Sequence, residues 1–221
     1  MKLIYNPLGF SMDLIMNKSN VLVIEKHEEF EKFVIRLSEQ VGGNCEYFYT
    51  DEEKMTLFRR MNIVTSPFDL TISEREIQKK LYAYLVEELE IASLSEKLQS
   101  LHFDMIQCIE ELRLCNDFEL TYNDDFSLNS ILKNLGIGLE ELEGDFCSKI
   151  ISYGDIMHKL LARDVLVLCN CDAYLRESDY ENLEKWAEYN EITILYLRNV
   201  QNVWQKSNNE YIIDKDLCEI H

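Results

Sequence analysis

Two apolar runs on either side of a polar helical pattern constrain this chain more than any other feature. Val165-Leu166-Val167-Leu168-Cys169 offers no polar residue to a wet face, and Ile192-Thr193-Ile194-Leu195-Tyr196-Leu197 offers almost none. Such runs read as strands covered on both sides, the pattern of parallel strands in an α/β sheet. Between them Ser178 and Glu181 match an S-x-x-E capping box, opening a helix predicted to turn Leu183, Trp186, Ala187 and Tyr189 inward. Strand, crossover helix and strand make a βαβ unit, right-handed by default. Ligands on such sheets bind beyond the carboxyl ends of the strands, here Asn170 to Leu175 and Arg198 onward.

With 221 residues and 47% hydrophobic content, the chain can bury a sizeable core. It holds no run of about 18 apolar residues, and Asn6, Pro7 and Gly9 break the apolar start that a signal peptide needs, so a cytoplasmic location is expected. Seven cysteines are an odd number, and Cys45, Cys108, Cys115 and Cys169 fall in apolar strand or helix patterns. They predict reduced, buried thiols and no disulfide framework. The formal charge of −19 argues against a simple polyanion binder, because nucleic acid and anionic membranes are repelled at long range. Any DNA site must be a local basic patch.

Along the chain, Leu3 to Tyr5 and Met12 to Met16 read as two strands of a hairpin turned by Asn6-Pro7-Leu8-Gly9. Val21 to Ile24 is a further apolar strand, and Glu28 to Val41 is a helix with Phe30, Phe33, Val34 and Leu37 on one face, ended by Gly42-Gly43. Strand-like Cys45 to Tyr49 and Met61 to Thr65 flank a helical 51–60 stretch, and Pro67 marks a boundary. From Ser73 the texture changes. Ser73 and Glu76 match a capping box, followed by two long helices, one carrying Ile77, Leu81, Tyr84, Leu85 and Leu89, the other Leu98, Leu101, Met105, Ile109 and Leu112. Only Ile91 to Ser95 separate them, so an antiparallel helical hairpin is predicted. An extended Phe118 to Tyr122, a short helix at Leu128 to Leu135 closed by Gly136, and a helix at Phe146 to Leu161 complete the reading. The fold class is α/β, with a head of residues 1–70 and 146–221 and an all-helical leg of residues 71–145.

A phosphate loop needs glycine amides around the phosphates and a lysine to reach them. In this chain no glycine precedes a lysine, which disfavours ATP hydrolysis. Cys169-Asn170-Cys171 is a C-x-C without a second pair, and packing explains it better than metal or redox chemistry. His27, His102, His158 and His221 share no ligand spacing. From Glu110 to Asp145 ten acidic residues face only Arg113 and Lys133. The loop can be a solvated acidic turn or a seat for a hard cation, which takes six to eight oxygens; the EF-hand pattern is absent. Lys54, Arg59 and Arg60 lie in a stretch with no acid, either a solvated helix face or a phosphate track, and Lys79-Lys80 reads as a solvated face.

The order of LIYNPLGFSMDLI, two long helices, NDFELTYNDDFSLNSILKNL from Asn116, KLLARDVLVLCNCDAYLRESD and the final ITILYL resembles the short Csn-type adaptation proteins of type II-A CRISPR systems. That resemblance implies a head similar to the RecA and P-loop ATPase core without its nucleotide site, and a helical leg inserted into it. It further implies a non-enzymatic homotetrameric ring that encircles double-stranded DNA at free, linear ends and holds Ca2+. Its implied partners in spacer acquisition are the adaptation integrase and the RNA-guided effector nuclease. The family's calcium segment falls on Asn116 to Asp125, making Asp117, Glu119, Asn123, Asp124 and Asp125 the candidate ligands. Lys54, Arg59, Arg60 and Lys133 are the candidate DNA-binding residues. The competing readings are a nucleotide-using α/β enzyme with an unorthodox phosphate loop and a pure protein adaptor.

Overall fold

A computed structural model of the protein describes residues 1–43, 47–50, 56–115, 117–201 and 209–220. In chain order the helices are α1 (His27–Val41), α2 (Thr56–Arg59), α3 (Arg75–Ile91), α4 (Ser95–Leu114), α5 (Leu128–Asn134), α6 (Phe146–Leu161) and α7 (Glu177–Tyr189). The strands are β1 (Lys2–Tyr5), β2 (Phe10–Asp13), β3 (Ser19–Ile24), β4 (Phe48–Thr50), β5 (Met61–Val64), β6 (Val165–Cys169), β7 (Thr193–Arg198), β8 (Glu210–Ile213) and β9 (Glu219–Ile220). Two units result, one of residues 1–72 and 141–221, the other of residues 73–140.

The first unit holds two sheets. The larger has the order β5-β6-β7-β3-β8-β9, parallel throughout except for the antiparallel edge pair of β8 and β9. Every residue of β3, β6 and β7 is buried, the apolar cores of the strands together with the polar Ser19, Asn20, Thr193 and Arg198. The smaller sheet, β2-β1-β4, is antiparallel. Its second strand starts at Phe10 and not at Met12, because a 3-10 turn at Asn6–Leu8 reverses the chain at once. Gly9 closes that turn at φ 63°, donating its N–H to the Asn6 carbonyl at 3.0 Å.

Helix α1 joins the two sheets into one core. Its Phe33 ring packs edge-on against both Tyr5 and Phe48 at 4.9 Å, while Leu22, Ile24, Val167 and Leu195 of the large sheet belong to the same apolar cluster. At the far end of α1 the buried Gln40 side chain donates to the Phe48 carbonyl and accepts from the Tyr47 and Phe48 amides. A glutamine at that position therefore fastens β4 to the helix as a strand partner would.

Helix α7 begins one residue before Ser178, so the expected S-x-x-E box is not the cap. Asp179 reaches back instead and accepts from the Arg176 N–H at 2.8 Å. Leu183, Trp186 and Ala187 are buried as predicted, whereas Tyr189 stands exposed, because two residues beyond Ala187 lies on the opposite side of the helix. Trp186 fits over Gly154 of α6 and donates its indole N–H to Asp155 at 2.9 Å.

In the second unit α3 starts at Arg75 after Glu74, so Ser73 does not cap it. Three residues, 92–94, join α3 to α4, with Ser93 at φ 54°. Ile77 and Leu81 of α3 are buried with Leu132 of α5, and Ser127 caps α5 by accepting from the Ser130 N–H. The predicted inward stripe of α4 is mostly turned outward. Of the predicted stripe Leu98 is half-buried as expected, but Leu101, Met105, Ile109 and Leu112 are exposed, Met105 to 66%, and the half-buried line continues through His102 and Ile106. No regular strand forms at Phe118 to Tyr122. Cys108 and Cys115 are likewise exposed rather than buried, and Cys45 and His221 lie outside the described residues.

Candidate functional site

The carboxyl ends of the parallel strands are where an α/β sheet takes a ligand. Beyond β3 the chain runs Glu25-Lys26 straight into α1, whose first turn carries Glu28 and Glu29. A phosphate at that helix start would meet two carboxylates in place of glycine amides, which opposes the usual anion preference of a helix N-terminus. Beyond β6 and β7, among the described residues, stands a buried ion pair. Arg198, 1% exposed, pairs with Asp172 through Nε at 3.0 Å and a terminal guanidinium nitrogen at 2.6 Å. Tyr180 donates its hydroxyl to the same carboxylate at 2.6 Å, and its phenol is pushed well up, by burial first and then by that bond. The guanidinium also lies over the Tyr180 and Tyr196 rings. Cys169 and Cys171 are buried thiols, raised to about 11 and about 12 by burial first, as in packing groups.

The four residues proposed to touch DNA fare differently. Lys54 lies outside the described residues. Arg59 is exposed at the end of α2. Arg60 forms a bidentate pair with Asp164 at 2.7 and 2.5 Å, tying the start of β5 to the start of β6, so its charge is already met by a carboxylate. Lys133 is exposed on α5 and lines, with Arg75 and Lys79 of α3, a groove of about 660 Å³. Sequence reading assigned Lys79 to a solvated face and passed over Arg75. The signal that could have found them is cations at i and i+4 of one helix, with the acid Glu76 off that face.

The acidic segment runs without regular structure from 117 to 127 along α4. Tyr122 donates its hydroxyl to Glu110, and Arg113 pairs with the same carboxylate at 2.9 Å. Those two bonds, Tyr122 first, hold Glu110 below the usual carboxylate range. Further along, His102 Nε2 donates to the Asp124 carbonyl at 3.1 Å and its ring meets Phe126. Asp117, Glu119, Asn123, Asp124 and Asp125 are all exposed. Asn123 Oδ1 already accepts the Asp125 N–H at 2.9 Å, and the hollow beside Asp124 is lined by Arg113, a charge that a cation avoids. Among the described residues no group of three His, Cys, Asp or Glu side chains is placed to hold a metal ion.

These features define a class, a mixed α/β protein with a mostly parallel sheet and a helical unit inserted in its sequence. The chain belongs to the Csn2 family of CRISPR-associated proteins, whose family model, described as CRISPR-associated protein (Cas_Csn2), matches residues 40–217. It is 23% identical over 207 residues to CRISPR-associated protein Csn2 of Enterococcus faecalis, covering 91% of this chain and 90% of that one. Its fold is similar to the crystal structure of Stu0660 of Streptococcus thermophilus, with a TM-score of 0.61 and 15% identity over 96% of this chain and 74% of the other. Among the described residues no helix is long and apolar enough to cross a membrane.

Proposed function

We propose that this chain is a non-enzymatic, ring-forming protein that binds the ends of linear double-stranded DNA during CRISPR spacer acquisition in the cytoplasm. The observation that carries the reading is family membership, supported by Glu28, Glu29 and the Asp172–Arg198 pair at the carboxyl ends of the strands, where a phosphate loop would lie. The neighbouring parallel strands β5, β6, β7, β3 and β8 support a RecA-like head that has given up its nucleotide. The outward apolar stripe of α4 supports self-association into a homotetramer, since a soluble chain gains by covering Leu101, Met105, Ile109 and Leu112. The adaptation integrase and the RNA-guided effector nuclease are the partners this reading carries. Calcium dependence rests on the family resemblance and on the acids at 117–125.

Light scattering tests the assembly, and competition between linear and covalently closed duplex tests threading. Tetramer mass with preference for linear DNA supports the reading; a monomer that binds circles equally well contradicts it. Nucleotide-dependent heat stabilisation would favour the enzyme reading instead.

A further inference from the structure

The groove between α3 and α5 is built from opposite edges of a fixed pair of helices. Arg75, Gln78, Lys79 and Tyr82 follow the i, i+3, i+4, i+7 spacing that places them on one face of α3, and Asn129 and Lys133 are four apart on α5. Buried Ile77, Leu81 and Leu132 form the seam beneath, so the two polar edges are held at a set separation. Among the described residues no acid lines the groove, although the chain carries 41 acids against 22 lysines and arginines. Neither Arg75, Lys79 nor Lys133 forms an ion pair with another described residue, while other cations of the chain do. In so acidic a protein, three unneutralised cations converging on one concavity concentrate positive potential where an anion can use it.

We propose that this groove grips the phosphodiester backbone of duplex DNA, with Arg75, Lys79 and Lys133 as phosphate contacts and Tyr82, Gln78 and Asn129 as neutral donors. The inference rests on the DNA-binding reading above and names the surface that performs it. Arg75 and Lys79 stand one helical turn apart, about 6 Å along α3. A duplex strand advances about 3.4 Å per phosphate, so the two cations address phosphates one or two steps apart. Hydroxyl and amide side chains complete such contacts without reading bases, which makes the grip independent of sequence. Lys80, next in the chain, is not part of the groove.

The test uses the full chain and a short labelled linear duplex, with anisotropy measured between about 50 and 200 mM salt. The triple variant R75A/K79A/K133A is expected to bind at least about tenfold more weakly, with a slope of log affinity against log salt flatter by about 2 to 3. K80A removes one charge outside the groove and is expected to leave the slope unchanged. N129K adds a cation within it and is expected to tighten binding and steepen the slope by about 1, a gain that misfolding cannot produce. If the wild type binds duplex and the triple variant binds it equally with the same slope, the groove is not the site, although the DNA-binding reading stands. If the wild type binds no duplex, that reading falls and takes this inference with it.

Discussion

Asp172 and Arg198 pair at the carboxyl end of the large sheet, one from the turn after β6 and the other from the last position of β7. The guanidinium is fully buried, so removing its carboxylate leaves a charge without its counterion in the interior. Both D172A and R198A are expected to cost about 3–5 kcal/mol in urea unfolding. The double variant should lose clearly less than the sum of the two, because the orphaned charge is gone. Additive losses would show that the two residues act independently.

Gly154 is irreplaceable for a reason opposite to flexibility. A Cβ at that position would stand 2.3 Å from Trp186 Cη2, so the helices α6 and α7 meet at a distance only glycine allows. Alanine in a helix interior usually gains about 1 kcal/mol over glycine, yet G154A is expected to lose about 1–3 kcal/mol through overpacking. In a W186F background the same substitution should cost less. A stabilised G154A would refute the close contact.

The cysteines should divide by exposure. Cys108, Cys115 and Cys218 are exposed and should react with a thiol reagent in the native protein, whereas Cys147, Cys169 and Cys171 should react only on unfolding. Burial raises these three thiols from an ordinary value near 9 to about 11, about 11 and about 12. A raised folded value means that the stabilising contribution is complete below pH about 9 and is lost as pH rises through the folded values. Melting temperature should therefore fall across that alkaline window, and it should fall less in C169A/C171A.

Tyr122 governs Glu110. Its hydroxyl is the larger cause of the depressed carboxyl, with Arg113 second, so stability linked to Glu110 is present above the usual carboxylate range and is lost as pH falls through the lowered value. In Y122F the Glu110 carboxyl resonance should titrate at higher pH. An unmoved midpoint would mean that the tyrosine does not hold the acidic segment to α4.

Calcium, as proposed, should raise the melting temperature of the wild type and not that of D124N/D125N, while chelation lowers both stability and DNA affinity of the wild type. Equal stabilisation of variant and wild type would move the ion away from these acids.

Periodicity made β3, β6, β7, α1 and α6 legible, because each buries a continuous run or a clean helical stripe. It could not reveal that β3 lies between β7 and β8, since pairing across so many residues leaves no local trace. Strands β8 and β9 escaped notice because Glu210-Tyr211-Ile212-Ile213 and Glu219-Ile220 are short edge segments with no sustained alternation. The orientation of α4 escaped for a different reason: beyond Leu98, Leu101 and Met105 compete with His102 and Ile106, and sequence alone does not rank two faces one residue apart. At the candidate site, Lys133 was legible as a cation in an acidic neighbourhood, whereas Arg75 and Lys79 gained meaning only when α5 was laid beside them.

The position of β3 has a consequence for how the protein is made. Ser19 pairs with Ile194 and Val21 with Glu210, so the earliest of these strands has both neighbours in segments synthesised long after it. At about 5–20 residues per second, its two edges wait on the order of 10–40 s during synthesis. Throughout that interval Val21–Ile24 is an open template for pairing with another nascent chain, and α1, which follows it directly, is the first cover available. Slowed translation between residues 25 and 190 should therefore raise aggregation of newly made protein more than the stability of the finished fold would suggest.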